Sequence, residues 1–479
     1  MHPIDPNQHT RRAFLRRSGQ LALAGTALPF AINMAAIGEA AAFNATDYKA
    51  LVCVFLAGGN DYANTVVTYD ADSYGRYHAV RGGDTTGFNI SIAREALAGT
   101  VLNPTTPLAG GRQYALHPSM ARMANLFHGG QAAVQLNVGP LVVPLTRTQY
   151  QSADRRLYPI PPRLFSHNDQ QSTWQASAPE GSTVGWGGKI GDLALSSNGA
   201  SLFTCISTGG NAVFLAGDQA LMYQVGPAGA LPMKPVTESV YGSGAVRSAM
   251  TQLVRERRGH VLENEYNTVT ARSIDSQVQI KAAMETTTIR TPTPASNNLA
   301  SQLMTVAKLI AGRNVLGSKR QVFFVNMGGF DLHDGLINGQ ASLMTRLSEA
   351  MGAFYDATVE LGVAHQVTAF TASDFGRTLT SNGDGSDHGW GGHHFVVGGA
   401  VRGKALYGKA PPVSVGNTTA AEDQWHVGQG RLLPSTSVDQ YAATMARWFG
   451  VADSEMAGIL PNLRNFGSGD YPVNMGFMG

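Results

Sequence analysis

The segment Val367-Thr-Ala-Phe-Thr-Ala-Ser-Asp374-Phe-Gly-Arg377 joins a strongly apolar run to a cluster of polar residues. An apolar run of this kind is typical of a buried parallel strand, and a second apolar run, Phe395–Val397, follows the cluster. The polar loop between the two runs is therefore predicted to lie at one edge of a sheet, where α/β proteins place their functional sites.

This loop concentrates groups that bind cations and anions. Its carboxylates, imidazoles and single guanidinium belong to Asp374, Asp384, Asp387, His388, His393, His394 and Arg377. Carboxylates and neutral imidazoles are ligands of divalent metals, and arginine suits an anionic substrate. A loop of this composition is also compatible with ordinary hydrogen-bonded surface, so other parts of the chain have to decide between the two interpretations.

The same arrangement, an apolar run followed by an acidic residue, occurs at two earlier places. Leu51–Leu56 leads into Gly58-Gly-Asn-Asp61, and Gln321–Val325 leads into Gly328-Gly-Phe-Asp331-Leu-His333. The carboxyl ends of parallel strands share one edge of a sheet. We therefore expect Asp61, Asp331, His333 and Asp374 to converge at that edge. The alternative is that they are unrelated turn residues, because aspartate is common in turns.

A further polar stretch, Phe165-Ser-His-Asn-Asp-Gln-Gln171, precedes a predicted helix. Free amide groups at a helix N-terminus suit an anion, so Ser166, His167 and Asp169 are candidate site residues. Helix capping accounts for the same residues equally well.

Apolar residues at helical spacing predict helices that cover the sheet. The pattern is clearest in Asn298–Arg313, in Ala341–Leu361 and in Ser437–Gly450. Residues 236–290 are more polar and predict long helical structure at the surface. The chain after the N-terminal segment is long enough for one large α/β domain. We assign this domain to residues 43–479, with a helical insertion around 236–300.

Residues 1–42 are predicted to be an export signal. Thr10-Arg-Arg-Ala-Phe-Leu-Arg16 is a twin-arginine motif, an apolar run extends from Leu21 to Ile37, and Ala40–Ala42 supply the small residues of a cleavage site. The apolar run is interrupted and short for a bilayer span, which argues against an anchor. We expect the twin-arginine translocation machinery as a partner, a periplasmic or secreted mature protein, and no membrane span in that form.

Charge and cysteine content exclude some classes of function. The formal net charge is +2, and residues 1–42 contain four arginines and two acidic residues, so the mature chain has no net charge. A chain without a basic excess is not expected to bind nucleic acid or a membrane surface. Cys53 and Cys205 cannot build a cysteine-based metal cluster. Cys53 is predicted to be a buried thiol, with a disulfide to Cys205 as the weaker alternative.

The order of these motifs resembles the exported bacterial family known as domain of unknown function 1501. The likeness rests on Gly-Gly-Asn-Asp61, Ser166-His167, Gly-Gly-Phe-Asp331-Leu-His333, Ser-Asp374-Phe-Gly-Arg377 and Asp387-His388-Gly. That family is similar to the alkaline phosphatase and sulfatase superfamily. The resemblance implies an α/β fold of the alkaline phosphatase type, a three-layer sandwich. Its mostly parallel central sheet is flanked by helices and carries a metal site at the strand ends.

The resemblance also implies roles for individual residues. A divalent metal (Zn, Mg, Mn or Ca, as one or two ions) would be held by Asp61, Asp331, His333, Asp374 and His388. Phe375 stands where the superfamily often has a histidine, and Cys205 lacks the surroundings of a formylglycine sulfatase. Beyond the resemblance, Ser166 is the best positional candidate for the nucleophile and Arg377 is a candidate anion clamp, while His393 or its neighbour His394 is a candidate proton donor or, alternatively, a support for the metal ligands.

Two functions are consistent with this sequence. The first is an exported metal-dependent hydrolase of phosphate or sulfate esters, with a small anionic ester as its substrate. The second is a non-catalytic exported binding or assembly protein that retains a degenerate phosphatase-like fold. An enzyme needs an open coordination position, whereas a structural metal site is closed, so the geometry of the site distinguishes the two functions.

Overall fold

The computed structural model describes residues 45–83, 89–227, 229–230, 233–239 and 242–479. The predicted export signal, residues 1–42, lies outside these ranges. The strands are β1 (Lys49–Leu56), β2 (Val66–Thr68), β3 (Tyr114–Leu116), β4 (Ala132–Gly139), β5 (Cys205–Ser207), β6 (Met222–Gln224), β7 (Arg320–Met327), β8 (Val367–Ser373), β9 (Gly392–Gly398), β10 (Ala405–Tyr407) and β11 (Thr436–Ser437).

The α-helices are α1 (Tyr62–Thr65), α2 (Ala71–Val80), α3 (Ala121–His128), α4 (Arg147–Gln151), α5 (His167–Ala176), α6 (Trp186–Ala194), α7 (Lys234–Thr237), α8 (Gly244–Arg255), α9 (Val261–Met284), α10 (Asn298–Ala311), α11 (Leu336–Glu360), α12 (Val438–Phe449) and α13 (Asp453–Ile459). In the described ranges, no helix combines the length and the apolarity that a bilayer span requires.

One large sheet organises the described chain. Its strand order is β10-β4-β9-β8-β1-β7-β5-β6, and β11 also pairs with β4. Neighbouring strands are parallel except where β9 pairs with β4 and β8, so β9 runs against the rest. The prediction of a mostly parallel central sheet is confirmed.

Strand β1 shows why its sequence is apolar at nearly every position. Its even-numbered residues from Ala50 to Leu56 pack in a core with α3, α10 and α11. The odd-numbered residues from Leu51 to Phe55 pack in a second core with α6, α12 and α13. A strand that is buried on both faces needs apolar residues on both. Helices cover the two faces of the sheet, which confirms the predicted three-layer arrangement.

The two cysteines are both free and buried. Cys53 lies on β1 and Cys205 on β5, and β7 runs between them. Two strand spacings separate the backbones by roughly 10 Å, which is beyond the reach of a disulfide. The prediction that Cys53 is a buried thiol is confirmed, and the disulfide alternative is wrong. Burial raises the pKa of both thiols.

The parallel register brings three strand ends to one level. Leu56 at the end of β1 is aligned with Met327 of β7 and with Ser373 of β8. The antiparallel β9 starts at the same edge, because its first residue, Gly392, pairs with Val138 near the end of β4. The segments that carry the predicted acids therefore leave the sheet side by side.

Candidate metal centre

Three side chains bring potential metal ligands together at this edge. His167, Asp331 and His388 each offer one atom, and the three atoms lie within 4.8 Å of one another. They come from the first turn of α5, the loop after β7 and the loop before β9. Their side chains are 29%, 44% and 25% exposed, respectively, so the group is open to solvent on one side.

A buried carboxylate orients His167. Its Nδ1 atom lies 2.7 Å from Oδ2 of Asp374, and since a carboxylate only accepts, Nδ1 carries the proton. The Nε2 atom lies 3.4 Å from Oδ2 of Asp331 and has no hydrogen-bond partner among the described residues. The hydrogen bond to Asp374 raises the pKa of His167, against the effect of burial. An imidazole backed by a carboxylate, with its other nitrogen unpartnered, has the geometry of a metal ligand.

Asp374 supports this arrangement from within the protein. Its side chain is fully buried. It accepts hydrogen bonds from the backbone amide of Gly58 at 3.1 Å, from His167, and from the side-chain Nε2 atom of Gln171 at 2.9 Å. Both oxygens are therefore occupied. The structure places Asp374 behind the group of three, where its carboxylate holds His167, and not within the group itself.

A backbone carbonyl orients His388 in a similar way. Its Nδ1 atom donates to the carbonyl oxygen of Phe165 at 2.7 Å, which leaves Nε2 3.2 Å from Oδ1 of Asp331. Phe165 has φ +75°, a left-handed conformation that bulky residues rarely adopt outside functional or strained sites. Burial lowers the pKa of His388, which favours the neutral ring that a metal requires.

Asp331 is held in place by Arg377. The guanidinium is fully buried, and its Nη1 donates to Oδ1 of Asp331 at 2.8 Å and to the Gly58 carbonyl at 3.1 Å. Its other nitrogens donate to Ser386. Burial raises the pKa of Asp331, but the hydrogen bond and charge of Arg377 outweigh it and keep the pKa below its ordinary value. The assignment of Arg377 as an anion clamp is wrong, because this side chain is enclosed.

His333 lies beside the group on its solvent side. Its Nε2 atom is 3.1 Å from Oδ1 of Asp331 and 3.0 Å from Nε2 of His388. Its Nδ1 atom is 3.3 Å from Oδ1 of Asp387, which also accepts from the side chain of Asn382. The structure thus brings His333 to the centre, as expected, although it lies outside the group of three.

Asp61 does not take the ligand position that was expected of it. It is 1% exposed, and both of its oxygens bind Nη2 of the fully buried Arg81, at 2.7 and 3.0 Å. It also caps α1 through the Asn64 amide and accepts from the hydroxyl of Ser386 at 2.9 Å. This correction has a physical reason: Arg81 binds both oxygens of this enclosed carboxylate, which leaves neither facing the centre.

The two adjacent histidines of β9 lie inside the protein, away from the centre. The Nδ1 atom of His393 accepts from the Asn137 amide at 3.0 Å, and the ring packs against Tyr62. The ring of His394 packs against Trp174. Burial lowers the pKa of each ring to about 3. The structure therefore does not support His393 or His394 as proton donor, because both rings are enclosed away from the centre and uncharged near neutral pH.

Ser166 stands between two residues of the centre without facing it. Its hydroxyl donates to Oδ2 of Asp169 at 2.9 Å, while its neighbours supply the Phe165 carbonyl and the His167 ring. A serine nucleophile has to face the metal ligands, and the described partner of this hydroxyl is Asp169, which is not one of them. The geometry does not support Ser166 as a nucleophile. Asp384 is likewise away from the group, because its side chain accepts from the Gly335 amide at the start of α11.

Phe375 closes the floor of the centre. Its buried ring packs against His167 and His388, with ring centroids 4.9 and 4.6 Å apart. Gly59 makes room for it with φ +84°, and a Cβ there would lie 2.4 Å from the ring. An apolar ring in this position supplies no ligand, so the arrangement fits one metal ion better than two.

Sequence reasoning placed His167 only among residues that helix capping explains equally well. The role of the Phe165 carbonyl was missed altogether. When a residue in the left-handed conformation turns its backbone carbonyl towards a neighbouring ring, the side chains of the sequence give no sign of it.

The fold and the site together define an α/β protein with a candidate mononuclear metal centre at the carboxyl edge of its sheet. The sequence matches the family described as "Protein of unknown function (DUF1501)" over residues 48–457. The chain belongs to this family, and the resemblance seen in the sequence is confirmed. A comparison with curated proteins found no match.

Several solved structures are similar to this chain at low identity. One is the PsFucS1 sulfatase from Pseudoalteromonas sp., with 9% identity, a TM-score of 0.34, and coverage of 87% of this chain and 72% of that one. Another is the lipoteichoic acid synthase LtaP from Listeria monocytogenes, with 9% identity, a TM-score of 0.29, and coverage of 77% and 68%. A variant of the alkaline phosphatase PafA has 12% identity, a TM-score of 0.26, and coverage of 69% and 64%. Similarity of this extent defines no activity.

Proposed function

We propose that this protein is an exported hydrolase of phosphate or sulfate esters that works with one divalent cation. The observation that carries the proposal is the group of His167, Asp331 and His388. Each of its imidazoles has Nδ1 fixed by a hydrogen bond, and the group is open to solvent. Three protein ligands with an open position are typical of catalytic zinc sites, whereas structural sites are closed by four.

The donor set also narrows the choice of cation. Two imidazole nitrogens and one carboxylate suit zinc, whereas calcium, magnesium and manganese prefer sites built from oxygen ligands. When bound, such a cation supplies a Lewis acid for the ester oxygen and lowers the pKa of water.

The protein's own residues have separate tasks in this proposal. His167, Asp331 and His388 hold the cation, while Asp374, Arg377 and the Phe165 carbonyl keep those three in place. His333 lies on the solvent side with Asp387 behind its Nδ1 atom, so its Nε2 is positioned to hold the proton of an attacking water. Water is the nucleophile in this scheme, since the hydroxyl of Ser166 is bound to Asp169.

Metal analysis and an activity panel test the proposal together. The purified mature protein should contain about one equivalent of metal, and a chelator should remove it. The metal-loaded protein should hydrolyse at least one member of a panel of phosphate monoesters, phosphate diesters and sulfate esters, and the chelated protein none. Stoichiometric metal without any turnover would contradict the hydrolase and favour the second candidate function.

Export belongs to the proposal because of the twin-arginine motif at Arg11-Arg12 and the alanines before Phe43. Replacing both arginines with lysine should leave the precursor in the cytoplasm. Normal delivery of the double variant to the periplasm would contradict twin-arginine export and leave the hydrolase proposal unaffected.

The second candidate is a non-catalytic exported binding or assembly protein. It is favoured by the surface of the α8–α9 hairpin, where no residue of α8 is buried. Large apolar side chains are exposed there, namely Val246, Met250, Leu253, Val261, Leu262, Tyr266 and Val269. Exposed apolar side chains concentrated in this way are characteristic of protein interaction surfaces.

A further inference from the structure

With Arg377 enclosed, the proposed ester substrate needs another cationic group to hold its anionic part. Two arginines lie next to residues of the centre. Arg163 is 74% exposed and lies 3.7 Å from Asp169, so a substrate would have to immobilise a free side chain. Arg431 is half-buried and fixed in place. The two arginines therefore differ in how far they are preorganised.

Two contacts fix the guanidinium of Arg431. Its Nε atom donates to the carbonyl oxygen of His388 at 2.7 Å. Its planar head lies over the ring of Phe165, with 5.2 Å between the guanidinium carbon and the ring centroid. Phe165 and His388 are themselves joined by the hydrogen bond that orients the His388 ring. Arg431 thus contacts both residues that form one side of the centre.

The terminal nitrogens of Arg431 remain available to a ligand. Among the described residues, neither Nη1 nor Nη2 has a hydrogen bond, and neither is a buried atom without a partner. Asp387 lies close enough to interact electrostatically, but it forms no ion pair with Arg431 in the described structure. Two parallel N–H groups on a fixed fork match the paired oxygens of a phosphoryl or sulfuryl group.

The charge of the centre supports the same assignment. The centre contains three negative charges, from Asp331, Asp374 and Asp387, and one positive charge from the enclosed Arg377. One divalent cation would bring these groups to neutrality. Arg431 would then give the loaded site a net positive charge, which is what an anionic ester requires.

We propose that Arg431 is the specificity-determining residue that binds the anionic phosphoryl or sulfuryl group of the substrate. This inference rests on the proposed ester hydrolase. It assigns to Arg431 the task that the sequence suggested for Arg377. It predicts that Arg431 contributes to anion binding and not to metal binding.

Calorimetric titration of the metal-loaded protein with inorganic phosphate and with sulfate tests the inference. Arg431→Met should weaken anion binding at least about tenfold and leave metal content unchanged. The anion affinity of Arg431→Lys should lie between those of the wild type and of Arg431→Met, because lysine keeps the charge but lacks the planar guanidinium. Arg94→Met is the matched control. Arg94 is also half-buried, stacks on the ring of Tyr69 and donates to the Tyr69 carbonyl, so its loss should change neither quantity.

The possible outcomes distinguish a failure of the Arg431 assignment from a failure of the proposed ester hydrolase. Wild-type affinity for both anions in Arg431→Met would overturn the clamp alone. Loss of metal in the same variant would also overturn it, because Arg431 would then be a positioning residue for His388. If the metal-loaded wild type binds neither phosphate nor sulfate, the ester-hydrolase proposal fails and the clamp fails with it.

Discussion

Asp61 and Asp331 follow neighbouring parallel strands, each after a pair of glycines, yet they end in opposite environments. Asp61 is enclosed and bound by Arg81, whereas the Asp331 side chain is 44% exposed and lies within 3.4 Å of three imidazoles. Each carboxylate has an arginine partner. The difference is that Arg81 takes both oxygens of Asp61, while Arg377 takes one oxygen of Asp331 and leaves the other side open.

The comparison shows how one local pattern serves two purposes at the same edge of a sheet. The two acids are linked, because Ser386 donates to Asp61 and accepts from Arg377, which in turn holds Asp331. The enclosed pair forms part of the scaffold that positions the exposed carboxylate. We therefore expect substitutions at the two acids to separate stability from metal binding.

The largest effect is expected from breaking the enclosed pair. Asp61→Asn leaves Arg81 buried without a counter-charge and should lower the free energy of unfolding by about 3–5 kcal/mol. Asp331→Asn should lose the metal, and because it also removes the carboxylate that pairs with the buried Arg377 it should lower stability as well, but by less than Asp61→Asn, since the Asp331 side chain is 44% exposed. Denaturant unfolding in chelator and metal content of the folded protein measure the two effects. If Asp61→Asn loses metal while keeping its stability, the assignment of the two acids is reversed.

The histidines also divide into enclosed and exposed ones, and the enclosed ones make the stability of the protein depend on pH. His393 and His394 are enclosed, with pKa values of about 3, below the ordinary 6.5 of the ring. Between these values the unfolded chain binds protons that the folded state does not, so stability falls as the pH drops from about 6.5 towards 3. Each ring should contribute about 1 kcal/mol per pH unit.

His393→Asn tests this contribution, because an asparagine oxygen can still accept from the Asn137 amide. Unfolding free energies measured across this pH range should show a shallower decline in the variant than in the wild type. An unchanged decline would mean that His393 is not a buried neutral ring.

A smaller effect is expected at the residue that orients His167. In Asp374→Asn the partner of the Nδ1 proton loses its negative charge and one of its two acceptor oxygens becomes a donor, so metal affinity should fall about 10–100-fold. Gln171→Ala is the control, since Gln171 donates to the same oxygen of Asp374 without touching the ring. Competition with a chromogenic chelator gives both affinities. Equal losses in the two variants would show that Asp374 only braces its loop.

The smallest effect concerns the floor of the centre. Phe375→Leu removes the packing of an aromatic ring against His167 and His388 and should lower stability by about 0.5–1.5 kcal/mol. Metal stoichiometry should stay the same, because Phe375 supplies no ligand. Thermal unfolding with and without metal measures the change, and a change in stoichiometry would contradict the role given to this ring.

The sheet could be predicted from the sequence because its strands are buried on both faces. Leu51–Leu56 and Val367–Ala372 are continuous apolar runs, and each lies inside an observed strand, Lys49–Leu56 and Val367–Ser373. Parallel pairing then places the ends of such strands at one edge. From this inference we expected Asp61, Asp331, His333 and Asp374 at one edge, and of these Asp331 and His333 lie at the group of potential metal ligands.

Which polar residues hold the metal and which are enclosed partners could not be predicted from the sequence in the same way. Arg81, at the end of α2, determines that Asp61 is enclosed, and nothing in Gly-Gly-Asn-Asp61 reveals that partner. Arg377 looks like a substrate clamp from its sequence context, yet its burial depends on Ser386 and on the Gly58 carbonyl. Burial and partner choice are properties of the packed chain, so they decide which acid can hold a metal.

Anomalous X-ray diffraction from crystals of the metal-loaded protein tests the central claim most directly. We predict one anomalous peak at the carboxyl edge of the sheet, about 2.0–2.2 Å from the Nε2 atoms of His167 and His388 and from a carboxylate oxygen of Asp331. Asp61 should lie outside this coordination sphere, with Arg81 still bound to it. A peak at Asp61, or no peak among His167, Asp331 and His388 with metal in excess, would contradict the account.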